Sequence, residues 1–251
     1  AFGWPFLADP GSMAVAHASD APWIFALTIP LVLVVVLAQI ADGGMDAKSV
    51  AILGVLAAVV CALRPLGAGT AGIEPIWFVI VLGGRALGPG FGFCLGSLSL
   101  AASALVTGGV GPWLPFQMLA AAWVGLGAGL LPPVRGRKEV AMVAAYGAVA
   151  ALAYGLIMNL WFWPFIAGSS FVPGDAVGAN AIRWLAFSAA TSWGFDIPRA
   201  VLTAALIAVL GRPVLTALRR AARRAAFAAP VTFTPEQAPT SIAVALPTAT
   251  S

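Results

Sequence analysis

The residues able to do chemistry in this chain are aromatic and polar side chains gathered at the ends of long apolar runs. Glu74 and Trp77 open one run, and Trp113 and Gln117 open another. Asn159, Trp161, Phe162 and Trp163 close a third, while Trp193, Asp196 and Arg199 precede the last. Tryptophan alone would read as an interfacial belt, but belts form at both membrane faces. Here the opposite ends of the runs carry almost no Trp. Rings supply stacking area and a few polar groups fix orientation, so the interleaving points to a ligand pocket. The candidate substrate-binding residues are Glu74, Trp77, Trp113, Gln117, Asn159, Trp163, Trp193, Asp196 and Arg199. Asp196 and Arg199 stand at i and i+3, a spacing that suits a local ion pair or two ligand contacts. Arg64, before Pro65, marks the outer boundary of its helix.

Catalytic chemistry finds no equivalent set. The single histidine, His17, has no acidic or Cys partner at ligand spacing, which argues against a metal site. No Ser/His/Asp constellation and no P-loop occur, and Gly88–Gly92 reads as a tight turn rather than a phosphate loop. Neither an enzyme nor a self-powered pump is expected, and no cofactor. A second feature serves recognition instead. Gly54, Ala58 and Ala62 recur every fourth residue within Ser49–Leu63, forming a flat strip where another helix can approach closely. Ordinary packing inside a bundle is the alternative, since such strips are common in an Ala-rich chain.

The elements that must position these residues are membrane helices. Of 251 residues, 61% are hydrophobic and 9% are charged, too few charges to cover a soluble surface. Cys61 and Cys94 lie inside apolar runs and read as small buried hydrophobes. About 20 apolar residues cross a bilayer as a helix. The spans expected are Trp23–Ile40, Ser49–Leu63, Ile73–Leu87, Phe91–Val106, Trp113–Leu131, Val140–Trp163 and a final region, Ala181–Leu210. In the last, Asp196 followed by Pro198 reads as a helix start, with a fresh helix from Ile197 to Leu210. Ala181–Trp193 would then be a surface or partly inserted helix. The net charge of +4 reads as topology, not nucleic-acid binding. Lys48, Arg85, the Arg135–Lys138 loop and the arginines from Arg212 to Arg224 fall on one side, which is then cytoplasmic. Loops Pro65–Pro75, Thr107–Pro112 and Ile166–Asn180 carry no Lys or Arg and fall outside. The division expected is an extracytoplasmic segment 1–21, an additional helix 22–41, a six-helix domain 48–224 and a disordered cytoplasmic tail 225–251.

With these residues in view, the chain resembles the substrate-binding S component of an energy-coupling factor (ECF) transporter, in particular an actinobacterial branch. The stretches carrying the likeness are Asp46–Ala58, Arg64–Pro75, Thr107–Gln117, Met158–Phe165 and Asp196–Ala200. The resemblance implies a six-helix bundle with both ends of its core cytoplasmic, and a vitamin site beneath outer loops. It also implies a transmembrane T component and two cytoplasmic ATPase subunits as partners, with the chain itself set in the lipid bilayer of the cell membrane. The family's A-x-x-x-A strip contacts the T component. Gly54 and Ala58 match it with Gly in place of the first Ala, and Ala62 extends it. The branch favours cobalamin as substrate, with riboflavin or thiamin as alternatives. A different class of function is an anchoring or assembly protein that recruits partners through the same small-residue face.

Overall fold

The computed structural model describes residues 2–10, 34, 38, 45, 47–67, 71–166 and 170–225. The span expected over 22–41 (all but Val34 and Ala38), His17 and the tail 226–251 lie outside the described residues. Among the described residues there are seven α-helices: α1 (Ala47–Leu63), α2 (Trp77–Leu87), α3 (Pro89–Thr107), α4 (Leu114–Leu130), α5 (Arg137–Phe162), α6 (Val177–Thr191) and α7 (Trp193–Ala225). Four stretches, Lys48–Gly67, Pro89–Thr107, Arg137–Phe165 and Trp193–Arg223, are long and apolar enough to cross a membrane. The other two apolar helices, α2 and α4, are shorter.

The centre of the bundle is α2. Val79, Ile80, Val81 and Leu82 are buried on successive positions, so this helix is enclosed all round. At 1.5 Å per residue it is only about 16 Å long. It begins at Trp77 rather than at Ile73 as the hydropathy pattern predicts. The preceding residues form a turn, with the Glu74 N–H donating to the Gly72 carbonyl at 2.9 Å. Close backbone contact fastens α2 and α3 to α4. A Cβ on Gly84 or on Gly92 would strike the carbonyl oxygen of Gly125, so glycine permits the approach where any side chain would part the helices.

The last third differs from expectation. The break falls at Ser192, and α7 runs unbroken from Trp193 to Ala225 with Pro198 and Pro213 inside it. Asp196 therefore lies within the first turn instead of capping it. The Ser192 carbonyl accepts the N–H groups of both Phe195 and Asp196, at 2.8 Å each, which starts the helix. The Asp196 carboxylate is engaged elsewhere, and Pro198 forfeits only the bond to Gly194. Helix α6 stays at one end of the bundle. Its approach (Gly174), its middle (Trp184) and its exit (Ser192) contact Ala8, Phe6 and Asn159 in turn. These belong to the end that also holds Glu74.

Candidate functional site

The network at this end begins with the loop joining α1 to α2. Gly72 has φ +77°, a conformation that suits glycine, and a Cβ there would collide with the carbonyl of Phe195. The loop is thus pressed onto the start of α7, which brings Glu74 to Arg199 across 125 residues of sequence. Arg199 Nε donates to Glu74 Oε2 at 2.8 Å, and its Nη1 donates to Asp196 Oδ1 at 2.6 Å. The same Glu74 oxygen accepts the indole N–H of Trp77 at 2.9 Å. Tyr154 of α5 completes the group. Its ring lies 4.2 Å from that of Trp77, and the Arg199 guanidinium sits 5.4 Å from its centroid, within cation–π range. The Asp196 carboxylate lies directly on Gly155, where a Cβ would overlap both oxygens. Asp196 is 2% exposed, and its Oδ2 has no hydrogen-bond partner.

Two polar pairs flank this group. Asn159 Nδ2 donates to Ser188 Oγ at 3.1 Å and to Ser192 Oγ at 2.7 Å, tying α5 to the end of α6. Arg64 Nη2 donates to Gln117 Oε1 at 3.2 Å, joining α1 to α4. The nine sequence candidates therefore divide. Glu74, Trp77, Asp196 and Arg199 meet in one network, while Gln117 and Asn159 each join another helix beside it. Trp163 is fully buried against Phe171, ring centres 5.2 Å apart. Trp113 and Trp193 are surface-facing, 41% and 49% exposed; the Trp113 indole donates to the Gly109 carbonyl. Trp193, Ile197, Leu152, Leu156 and Asp196 line an apolar cleft of about 270 Å³ between α5 and α7.

Sequence reasoning missed Tyr154, Ser188 and Ser192 as contributors. No signal singles them out: Tyr154 and Ser188 sit in apolar or small-residue helices and Ser192 in the break between α6 and α7, and only the tertiary approach brings them to Trp77 and Asn159. It also missed the N-terminal strap. Phe2 packs edge-on to Phe116 at 5.2 Å, and Phe116 stacks on Trp161 at 4.9 Å. Trp4 stacks on Phe165 at 5.4 Å, Phe6 meets the Trp184 ring edge-on, and the Ala8 carbonyl accepts the Gly174 N–H at 2.8 Å. Residues 2–8 thus lie across α4, the end of α5 and α6, covering the aromatic cluster.

The opposite end of the bundle is fastened by Glu139, which is 3% exposed. Arg85 Nε donates to Glu139 Oε1 at 2.8 Å, and Arg219 donates to both carboxylate oxygens. The remaining Arg85 nitrogens donate to the carbonyls of Leu131, Pro132 and Val134. Between the two ends, Gly54, Ala58 and Ala62 are all exposed along α1, and a Cβ on Gly54 would meet nothing within 4 Å.

Four stretches long and apolar enough to cross a membrane, with a polar network at one end, define a helical membrane protein. The family model described as "ECF transporter, substrate-specific component" matches residues 48–213, well over half of the chain. The chain belongs to that family and is a multi-pass membrane protein. No curated protein and no solved structure matches it. Substrate-specific components are non-catalytic subunits that bind a small substrate and partner with a T component and ATPases.

Proposed function

We propose that this subunit captures a vitamin at the Glu74 end, that this end faces out of the cell, and that cobalamin is the favoured substrate. The observation that carries the reading is the Glu74–Arg199–Asp196 triad, with Arg199 and Asp196 buried and Trp77 and Tyr154 beside it. The loop before α2, α2 itself, α5 and α7 converge there, and charges are kept inside a membrane domain at high cost unless they serve a site. Charge bias supports the sidedness, because ten of the 13 Lys and Arg flank the Glu139 end and cationic loops stay cytoplasmic. The C-terminus is then cytoplasmic. Many rings and few charges at this end suit a bulky, mostly neutral ring system. In the described conformation the rings pack on one another, so entry requires the strap of residues 2–8 to lift. The exposed Gly54–Ala58–Ala62 strip is the face that docks the T component.

Mass spectrometry of small molecules that co-purify with the full chain in mild detergent tests the reading. A retained cobalamin supports it, and a retained riboflavin or thiamin keeps the receptor role while replacing the substrate. Failure to bind any of these vitamins on addition would overturn it. Intact uptake after replacing Asn159, Trp163 or Asp196 would favour the anchoring role instead.

A further inference from the structure

Arg64 follows α1 directly, where a basic side chain commonly answers the free carbonyls and partial negative charge of a helix C-terminus. Here it does not. Its guanidinium reaches away to another helix and donates to the neutral amide oxygen of Gln117 at 3.2 Å. Its other terminal nitrogen, Nη1, is buried with no hydrogen-bond partner. Of the acids nearby, Glu74 and Asp196 Oδ1 pair with Arg199, Asp196 Oδ2 is left without a partner, and no ion pair links either acid to Arg64. A buried guanidinium edge without an acceptor is costly, so a protein keeps one where something else supplies the acceptor. The same end of the bundle holds further unanswered donors. The indole N–H groups of Trp161, Trp163 and Trp184 are also buried without acceptors. Trp161 stacks on Phe116, the residue next to Gln117. Among the described residues, unanswered donors thus outnumber the one unanswered acceptor at this end, Asp196 Oδ2.

We infer that Arg64 is a substrate-binding residue, and that the substrate presents a carbonyl, carboxylate or phosphate oxygen to it. This rests on the receptor reading above and narrows it to oxygen-acceptor-bearing ring compounds. Riboflavin, with ring carbonyls, and cyanocobalamin, with amide carbonyls and a phosphate, carry such groups. Thiamin, a cation without a carbonyl, does not.

The test compares wild type with Arg64→Met and Arg64→Lys in the full chain. Equilibrium dialysis measures binding of riboflavin, cyanocobalamin and thiamin, and thermal unfolding is followed without ligand. The expected result is retention of riboflavin or cyanocobalamin over thiamin. Affinity should fall at least about tenfold in Arg64→Met, the loss of one hydrogen bond to a charged group, and recover in part in Arg64→Lys. Ligand-free Arg64→Met should unfold at the same or a higher temperature, because an unanswered charge has been removed. A lower ligand-free Tm, preference for thiamin, or unchanged affinity in Arg64→Met would each overturn the inference. If wild type binds none of the three, the vitamin reading fails, and the unfolding temperature still decides whether Arg64 is a structural residue.

Discussion

The two ends of the bundle hold inverse charge triads. At one end a single arginine, Arg199, lies between two acids; at the other a single acid, Glu139, lies between two arginines. The second triad is saturated. Both Glu139 oxygens are used, and Arg85 spends its remaining donors on three backbone carbonyls at the end of α4. The first is not: Asp196 Oδ2, Arg64 Nη1 and three indole N–H groups are left over nearby. A fully satisfied buried network rigidifies, whereas leftover hydrogen-bonding capacity marks where a further molecule fits. The Glu139 triad is accordingly a fastening of α2, α5 and α7, and the Glu74 end is the place to look for a ligand.

The sharpest separation comes from the strip that belongs to neither end. Gly54→Leu with Ala58→Leu should abolish uptake in cells while leaving vitamin affinity within about twofold, because bulky side chains block helix approach only at the docking face. Parallel loss of binding and uptake would show the strip to be part of the internal packing. Glu139→Ala should follow, costing about 3 kcal/mol by leaving the buried Arg85 without its counter-ion. Thermal unfolding with and without ligand would show the loss in both states, and affinity measured below the transition should stay as in wild type. A large fall in affinity would place the Glu139 end in the site. Asn159→Leu reverses that pattern. It removes the Asn159 amide from the buried Ser188 hydroxyl for about 1–3 kcal/mol, and dialysis should register a larger effect on binding than calorimetry does on stability.

The smallest effect belongs to Asp175 and Arg183, an ion pair at 2.6 Å beside α6. The Arg183 guanidinium, together with the Ala176 N–H, holds the Asp175 carboxyl below the usual carboxylate range. Its contribution is therefore complete above the ordinary aspartate value of about 4 and is lost as pH falls through the lower folded value. The pair is solvent-screened, so Asp175→Asn should flatten only slightly the acid limb of an unfolding-versus-pH profile. A change near neutral pH would contradict this assignment.

Much of this was legible in the residues themselves. Hydropathy located α1, α3, α4 and α5 to within a few residues, since a helix that meets lipid must be apolar along its length. The i, i+3 spacing of Asp196 and Arg199 anticipated their pairing, because neighbouring turns of one helix bring such side chains together. Local rules failed where tertiary contact competed with them. Asp196 followed by Pro198 has the form of a helix start, yet Arg199 and the Gly155 surface hold the carboxylate, and the helix begins three residues earlier. Arg64 reads as a boundary charge until Gln117 is seen to hold only one edge of it.

Sequence by itself determined that this is a helical membrane protein without a catalytic set, because composition fixes the solvent a chain can tolerate and spacing fixes what one helix face carries. Only the folded chain decided that Glu74 meets Arg199, that Tyr154 joins them, and that the strap lies over the aromatic cluster. Those contacts join residues far apart in sequence, and their partners are set by which helices lie side by side.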